Sequence, residues 1–134
     1  MVDSVVVDTD IVSFTFKRDS RANLYEPHLK GKFLVISFMT LAQLYRWARK
    51  YRWSMDRRLQ MEKNLTEFII YPYDRALCHT WAEVTQQASE QGRSIEAGDA
   101  WIASTALLYN IPLVTHNRKH FIDIPGLTVI SEAP

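Results

Sequence analysis

The sequence predicts an α/β fold with a central parallel sheet of four to five strands and helices on both faces. Three observations carry that expectation. Short runs with no polar alternation, Val5-Val6-Val7, Phe33-Leu-Val-Ile36, Phe68-Ile-Ile-Tyr71 and Leu113-Val114, recur along the chain, and such runs suit strands buried on both faces. Between them lie segments with apolar residues at helical spacing, and alternating strands and helices give parallel pairing through crossovers. Acids follow the runs: Asp8 ends the first, and a ligand-binding crevice lies at the carboxyl ends of parallel strands.

In order, Val5–Asp8 reads as a buried strand, and Ile11–Lys17 as a helix capped by Asp8, Thr9 or Asp10. Ser20–Leu29 is a second short helix, closed by Gly31, before the strand Phe33–Ser37. Thr40 to Tyr51 is a helix with Leu41, Leu44, Tyr45 and Ala48 on one stripe. Its start, Thr40-Leu-Ala-Gln43, fits a capping box, in which Gln43 reaches back to the cap amide. Met55–Glu67 is helical, Phe68–Tyr71 is a strand closed by Pro72, and Asp74 caps a long helix ending at Gly92. Ile95–Tyr109 is the last helix, Leu113–Thr115 the fourth strand, and Leu127–Ile130 an edge strand. No repeat or linker interrupts the 134 residues, so residues 1–134 read as a single domain.

An apolar content of 47% and a charged content of 23% fit a folded globular chain and exclude a disordered one. One cysteine, Cys78, excludes an internal disulfide. Neither a signal-peptide pattern nor an apolar run of membrane length is visible, so a cytoplasmic location and no membrane partner are expected. The net charge of +1 hides an uneven distribution. Arg46, Arg49, Lys50, Arg52, Arg57, Arg58 and Lys63 are interleaved with Tyr45, Trp47, Tyr51 and Trp53. Arg46, Arg49, Lys50 and Arg52 are therefore candidates for contact with a nucleic-acid backbone. The alternative is a solvated helix face whose aromatics divide between core and partner interface.

Four acids suit a hard divalent cation. Asp8 and Asp10 sit so close at a strand end that they repel unless something cationic lies between them. Asp99 lies at the margin of an apolar helix stripe, where an unpaired carboxylate is costly, and Glu96 is one turn upstream on the same face. The simpler roles are capping for Asp8 and dipole complementation for Glu96 and Asp99. Thr115 and Asn117, after the last buried strand, offer neutral oxygens to a water or a phosphate. His116 and His120 have a metal-like spacing but no third His or Cys nearby, which argues against zinc.

With these stretches in hand, the chain resembles the PIN-domain ribonucleases, specifically the VapC-type toxins of bacterial toxin–antitoxin pairs. The matching stretches are Val7-Asp8-Thr9-Asp10-Ile11, Ile36 to Tyr45, Ile95 to Ala106, and Leu113 to Phe121 followed by Ile124 to Val129. The resemblance implies a PIN-like three-layer sandwich and a Mg²⁺- or Mn²⁺-dependent endoribonuclease acting on structured RNA such as tRNA. A cognate antitoxin and a homodimer are implied as partners. By position, Asp8 and Asp99 match catalytic acids that hold the metal, with Asp10 or Glu96 completing the set and Thr9, Thr115 and Asn117 orienting phosphate or water. Gln43 stands where the family usually has Glu, and Asn117 at a fourth acidic place where Asn is common. An amide at Gln43 contributes no charge, so a PIN fold that binds RNA or an antitoxin without cutting is the alternative. A receiver domain also pairs acids after its first strand, but it needs an Asp ending the third strand, where this chain has Tyr71-Pro72-Tyr73.

Overall fold

The computed structural model describes residues 3–134. Its elements are β1 (Ser4–Val7), α1 (Thr9–Lys17), α2 (Ala22–Leu29), β2 (Phe33–Ser37), α3 (Phe38–Lys50), α4 (Met55–Leu65), β3 (Ile69–Tyr71), α5 (Arg75–Glu90), α6 (Ala97–Tyr109), β4 (Leu113–Val114), one 3₁₀ turn (Arg118–His120) and β5 (Val129–Ile130). All five strands pair in parallel, in the order β3-β2-β1-β4-β5. The expected α/β architecture is therefore present, with helices layered on both faces.

Alternate residues of one strand point to opposite faces. Val5, Val7, Ile36 and Val114 face a core made with Ile11, Val12, Tyr25, Leu44, Met61 and Leu65, from α1 to α4. Val6, Val35 and Leu113 face the other core, with Val84 from α5 and Ala100, Ala103 and Ala106 from α6. Both faces are covered, which is why the strands are apolar without alternation; each buried Val contributes roughly 1.5–3 kcal/mol. Small residues let α6 lie close on the sheet, and its buried hydroxyls are satisfied within the helix: Ser104 donates to the Ala100 carbonyl at 2.6 Å and Thr105 to that of Trp101 at 2.9 Å.

The chain leaves β1 in one direction, to β2 and β3, and later returns to the other side of β1 with β4 and β5. That reversal puts a crevice beyond the carboxyl ends of β1 and β4. Helices α1 and α3 follow their strands directly and begin at this edge, and the contact of Gly98 with Gln43 and Met39 brings the amino end of α6 to it as well. Asp74 caps α5 by accepting from the Leu77 amide at 2.8 Å, and Gly92 beyond its end has φ +72°, as the C′ expectation required.

One expectation needs correction, and the alternative given for the aromatics is met as far as the core is concerned. Helix α3 begins at Phe38, capped by Ser37, whose hydroxyl accepts from the Met39 amide at 3.1 Å. Thr40 is thus inside the first turn and Gln43 a turn further on, and no capping box forms. The strand runs straight into the helix, so its last serine takes the cap. The aromatics of the basic segment also divide. Trp53 is only 8% exposed and stacks on Phe16 at 5.2 Å, and Trp47 packs against the same core; Tyr45 and Tyr51 are exposed. Among the described residues, no helix is long and apolar enough to cross a membrane.

Replacing Ser37 by Ala is expected to lower stability by about 1 kcal/mol. Hydrogen exchange at the Met39 amide should accelerate in this variant and stay unchanged in Gln43→Ala, the reverse of what a capping box would give.

Candidate active site

The site grows from the end of β1. Asp8 is the N-cap of α1 and accepts from the Thr9 amide at 2.7 Å. Its other oxygen accepts from the Thr115 hydroxyl at 2.7 Å, just past β4. Capping and functional placement are therefore the same fact: one carboxylate closes α1 and spans the crevice to the neighbouring strand. The Thr115 hydroxyl also accepts from the Asn117 amide at 3.0 Å, which shapes the turn leaving β4.

Asp10 lies in the first turn of α1, where its carboxylate accepts from its neighbour Ile11 at 2.7 Å and from the His116 amide at 3.0 Å. His116 is held from behind: its Nδ1 lies 2.5 Å from the fully buried Tyr25 hydroxyl, which also accepts from the Glu132 amide at 3.0 Å. His28 pairs with the Glu132 carboxylate at 2.9 Å. The chain's end and the Asp10 partner loop are thus tied to one tyrosine. Neither histidine of the His116–His120 pair is aimed at a shared point, since His120 Nδ1 lies 3.3 Å from Asp99.

Asp99 enters from the first turn of α6, half-buried, while Glu96 is the N-cap and exposed. Gly98 makes the approach of α6 to α3 possible. A Cβ there would stand 2.7 Å from Gln43 Nε2 and 3.0 Å from Glu96 Oε1, so the Gln43 amide nitrogen and the Glu96 carboxylate converge on one point. Gln43 Oε1 accepts from the Thr9 hydroxyl at 2.5 Å, and that hydroxyl also lies 2.9 Å from Thr40. Thr9 is therefore buried, with its hydroxyl engaged by Gln43 and Thr40 of α3.

Burial dominates the electrostatics. It pushes Asp8 up to about 7, with the neighbouring Asp10 charge adding to the rise and the Thr115 and Thr9 hydrogen bonds opposing it. Burial raises Asp10 too, against the His116 and Ile11 amides. Asp99 rises to about 6, first by burial and then by the charges of Asp8 and Glu96, with His120 pulling it down. Asp99 thus senses the charge of Asp8, as an acid facing the same crevice does.

The resemblance implies Mg²⁺ or Mn²⁺, and the donors suit such an ion: hard carboxylate oxygens with no thiolate. Among the described residues, no group of three or more His, Cys, Asp or Glu is placed to close on one ion. An all-protein cage is therefore absent, but Mg²⁺ uses one or two carboxylates and keeps its waters. Asp8 and Asp99 are hard donors of the kind that this lesser demand calls for.

The basic candidates lie elsewhere. Arg46, Arg49 and Lys50 fall roughly 5–10 Å farther along α3 than Gln43, toward the opposite edge, and Arg52 follows in the left-handed region with φ +50°. The basic residues beside the acids are Arg93, Lys119 and His120, which line a cavity of about 560 Å³ with Glu96 and Asp99. The run Arg118-Lys119-His120 is plain in the sequence, but only the register after β4 brings it to the crevice.

A PIN-domain family model matches residues 5–127 of this chain. The chain is 34% identical to Ribonuclease VapC1 of Haemophilus influenzae, covering 91% of this chain and 92% of that protein. It is 25% identical to the tRNA(fMet)-specific endonuclease VapC of Shigella flexneri, with the same coverage of 91% and 92%. Its structure is similar to that of VapBC2 from Rickettsia felis bound to a promoter DNA fragment, with a TM-score of 0.84, 26% identity and 98% of each chain covered.

The pKa directions fix a stability profile. Between the ordinary carboxylate value of 3.8 and about 7, the folded protein holds a proton on Asp8 that the unfolded chain has released. Stability from this group is complete below the lower value and is lost as pH rises through the upper one. Metal-free protein should therefore melt lower at about pH 7.5 than at pH 5. Asp8→Asn should flatten that fall and melt above wild type at the higher pH, measured by thermal denaturation in a chelator.

Proposed function

The chain belongs to the PIN-domain family, in its VapC-type branch, and we propose that it is a Mg²⁺- or Mn²⁺-dependent endoribonuclease acting as the toxin of a toxin–antitoxin pair. The observation that carries the reading is the set of acids at this sheet edge, Asp8 buried and Asp10 and Asp99 half-buried, each with raised proton affinity. A cation at this place supplies charge neutralisation for a phosphodiester and activation of water. Asp8 and Asp99 would hold it, with Asp10 and Glu96 adding negative charge around it. Thr115 keeps Asp8 oriented through its hydroxyl, which also accepts from the Asn117 backbone amide, and Asn117 would orient phosphate or water from the same loop. Structured RNA is the proposed substrate; a relative known as a tRNA(fMet)-specific endonuclease supports that choice. An antitoxin partner is supported by the VapBC2 assembly of the similar structure. A homodimer and a cytoplasmic location complete the proposal.

One observation favours a second reading, a PIN fold that binds RNA or an antitoxin with little cutting. The Gln43 oxygen is taken up by the Thr9 hydroxyl, so its position supplies the crevice with neither charge nor a free acceptor. Under the first reading Asp10 makes up that charge.

The test is cleavage of bulk tRNA by the purified protein in Mg²⁺ and in chelator. Cleavage should require the ion. Asp8→Asn and Asp99→Asn should each lower the rate by about 100-fold or more with the fold retained; full activity in Asp99→Asn would remove it from the site.

Gln43→Glu separates the two readings. In an active enzyme it should change the rate only modestly, because the new carboxylate would stand beside Glu96 and Gly98. A gain of about 100-fold, on the scale of one strong electrostatic contact, would mean that the natural site is nearly inert.

A further inference from the structure

A crevice lined by carboxylates repels a polyanion, so a ribonuclease needs positive charge at the mouth of this one. The segment Arg118–Ile122 forms a ridge between two cavities. The first, of about 560 Å³, contains Asp99, Glu96, Arg93 and His120; the second, of about 380 Å³, contains Asn117 and Arg118. Lys119 and Ile122 line both. Each volume falls in the range of about 300–1,000 Å³ that accommodates small organic groups.

Arg118 and Lys119 on this ridge, and Arg93 beside it, lie outside the ion pairs of the described residues, which involve only Arg21, His28 and His120 as the basic partner. Arg93 donates instead to the carbonyls of Ile122 and Asp123, at 2.9 and 2.8 Å, which fixes the ridge without cancelling the charge. Arg118 is likewise held, by the Ser131 carbonyl at 3.1 Å. Lys119 is exposed and has no such tie, so its ammonium is the mobile charge between two pinned guanidinium groups.

We propose that Lys119 binds the RNA backbone phosphate adjacent to the one cut, with the flanking nucleotides seated in the two cavities and Arg93 and Arg118 as fixed cationic rims. The proposal rests on the ribonuclease reading above. It places the strand across the ridge after β4 and not along the distal half of α3, where Arg49 and Arg52 lie.

The experiment measures binding of a fluorescein-labelled oligouridylate 12-mer by the chain in Ca²⁺, as a function of salt, for wild type, Lys119→Ala, Lys119→Arg and Lys30→Ala, the last being a cation at the opposite edge of the sheet. Lys119→Ala should weaken binding about tenfold at 50 mM salt. The defect should shrink to about fourfold at 200 mM, because one lost phosphate contact lowers the salt slope by about 0.7 on a single strand. Lys119→Arg should restore both affinity and slope, and Lys30→Ala should match wild type. An unchanged slope in Lys119→Ala, no binding by wild type, or loss of the slope on replacing Arg49 and Arg52 instead would overturn the proposal. If Lys119→Ala spared RNA binding but abolished capture of an acidic partner protein, the ridge would be a protein interface. Metal-dependent tRNA cleavage, measured in parallel, separates the outcomes: cleavage with an indifferent Lys119 sinks this proposal alone, whereas no cleavage at all sinks the ribonuclease reading.

Discussion

The hydrogen bond from the Thr115 hydroxyl to the Asp8 carboxylate joins the ends of β1 and β4 across the point where the sheet changes direction. Much of the carboxyl edge depends on it. Asp8 is 4% exposed, and a carboxylate so placed is tolerable only with its oxygens occupied. One oxygen closes α1 and the other holds the loop that carries His116, Asn117 and the ridge beyond. The single interaction that satisfies a buried acid thus also sets the position of most of the crevice's other members.

Charge rather than shape gives this crevice its character. Asp8, Asp10, Asp99 and Glu96 come from three separate starts: the end of β1, the first turn of α1 and the N-terminus of α6. Burial and mutual repulsion raise the proton affinity of the inner acids, favouring a partly protonated state that a bound cation would displace. Gln43 removes one charge from this group and is used structurally instead, its oxygen tying α3 to α1 through Thr9. The tyrosine behind His116 is a second support, since it connects the Asp10 partner loop to the chain's C-terminal residues.

Local pattern made the fold legible. Val5-Val6-Val7 and Leu113-Val114 show no alternation because both faces of the sheet are covered, and that feature needs only the sequence to be seen. The acids were legible for the same reason, being at the ends of readable elements. Long-range register was not. Nothing in the local sequence says that Thr115 pairs with Asp8, that Tyr25 reaches His116 from ninety residues away, or that Lys119 stands beside Asp99. The capping-box reading of Thr40–Gln43 failed because Ser37, the end of a strand, takes the cap first, and the motif's local chemistry was spent on a contact with Thr9. Gly98 was passed over since a helical glycine looks like a weakness until the neighbouring Gln43 is placed against it.

The central proposal is that these acids exchange protons for a divalent cation. Calorimetric titration with Mn²⁺ at about pH 6.5, in two buffers of different ionisation enthalpy, counts the protons released on binding. With Asp8 near 7 and Asp99 near 6 in the metal-free protein, roughly one proton should leave per ion bound, falling toward none by about pH 8.5. Binding with no proton release at the lower pH, or no binding at either, would contradict the account.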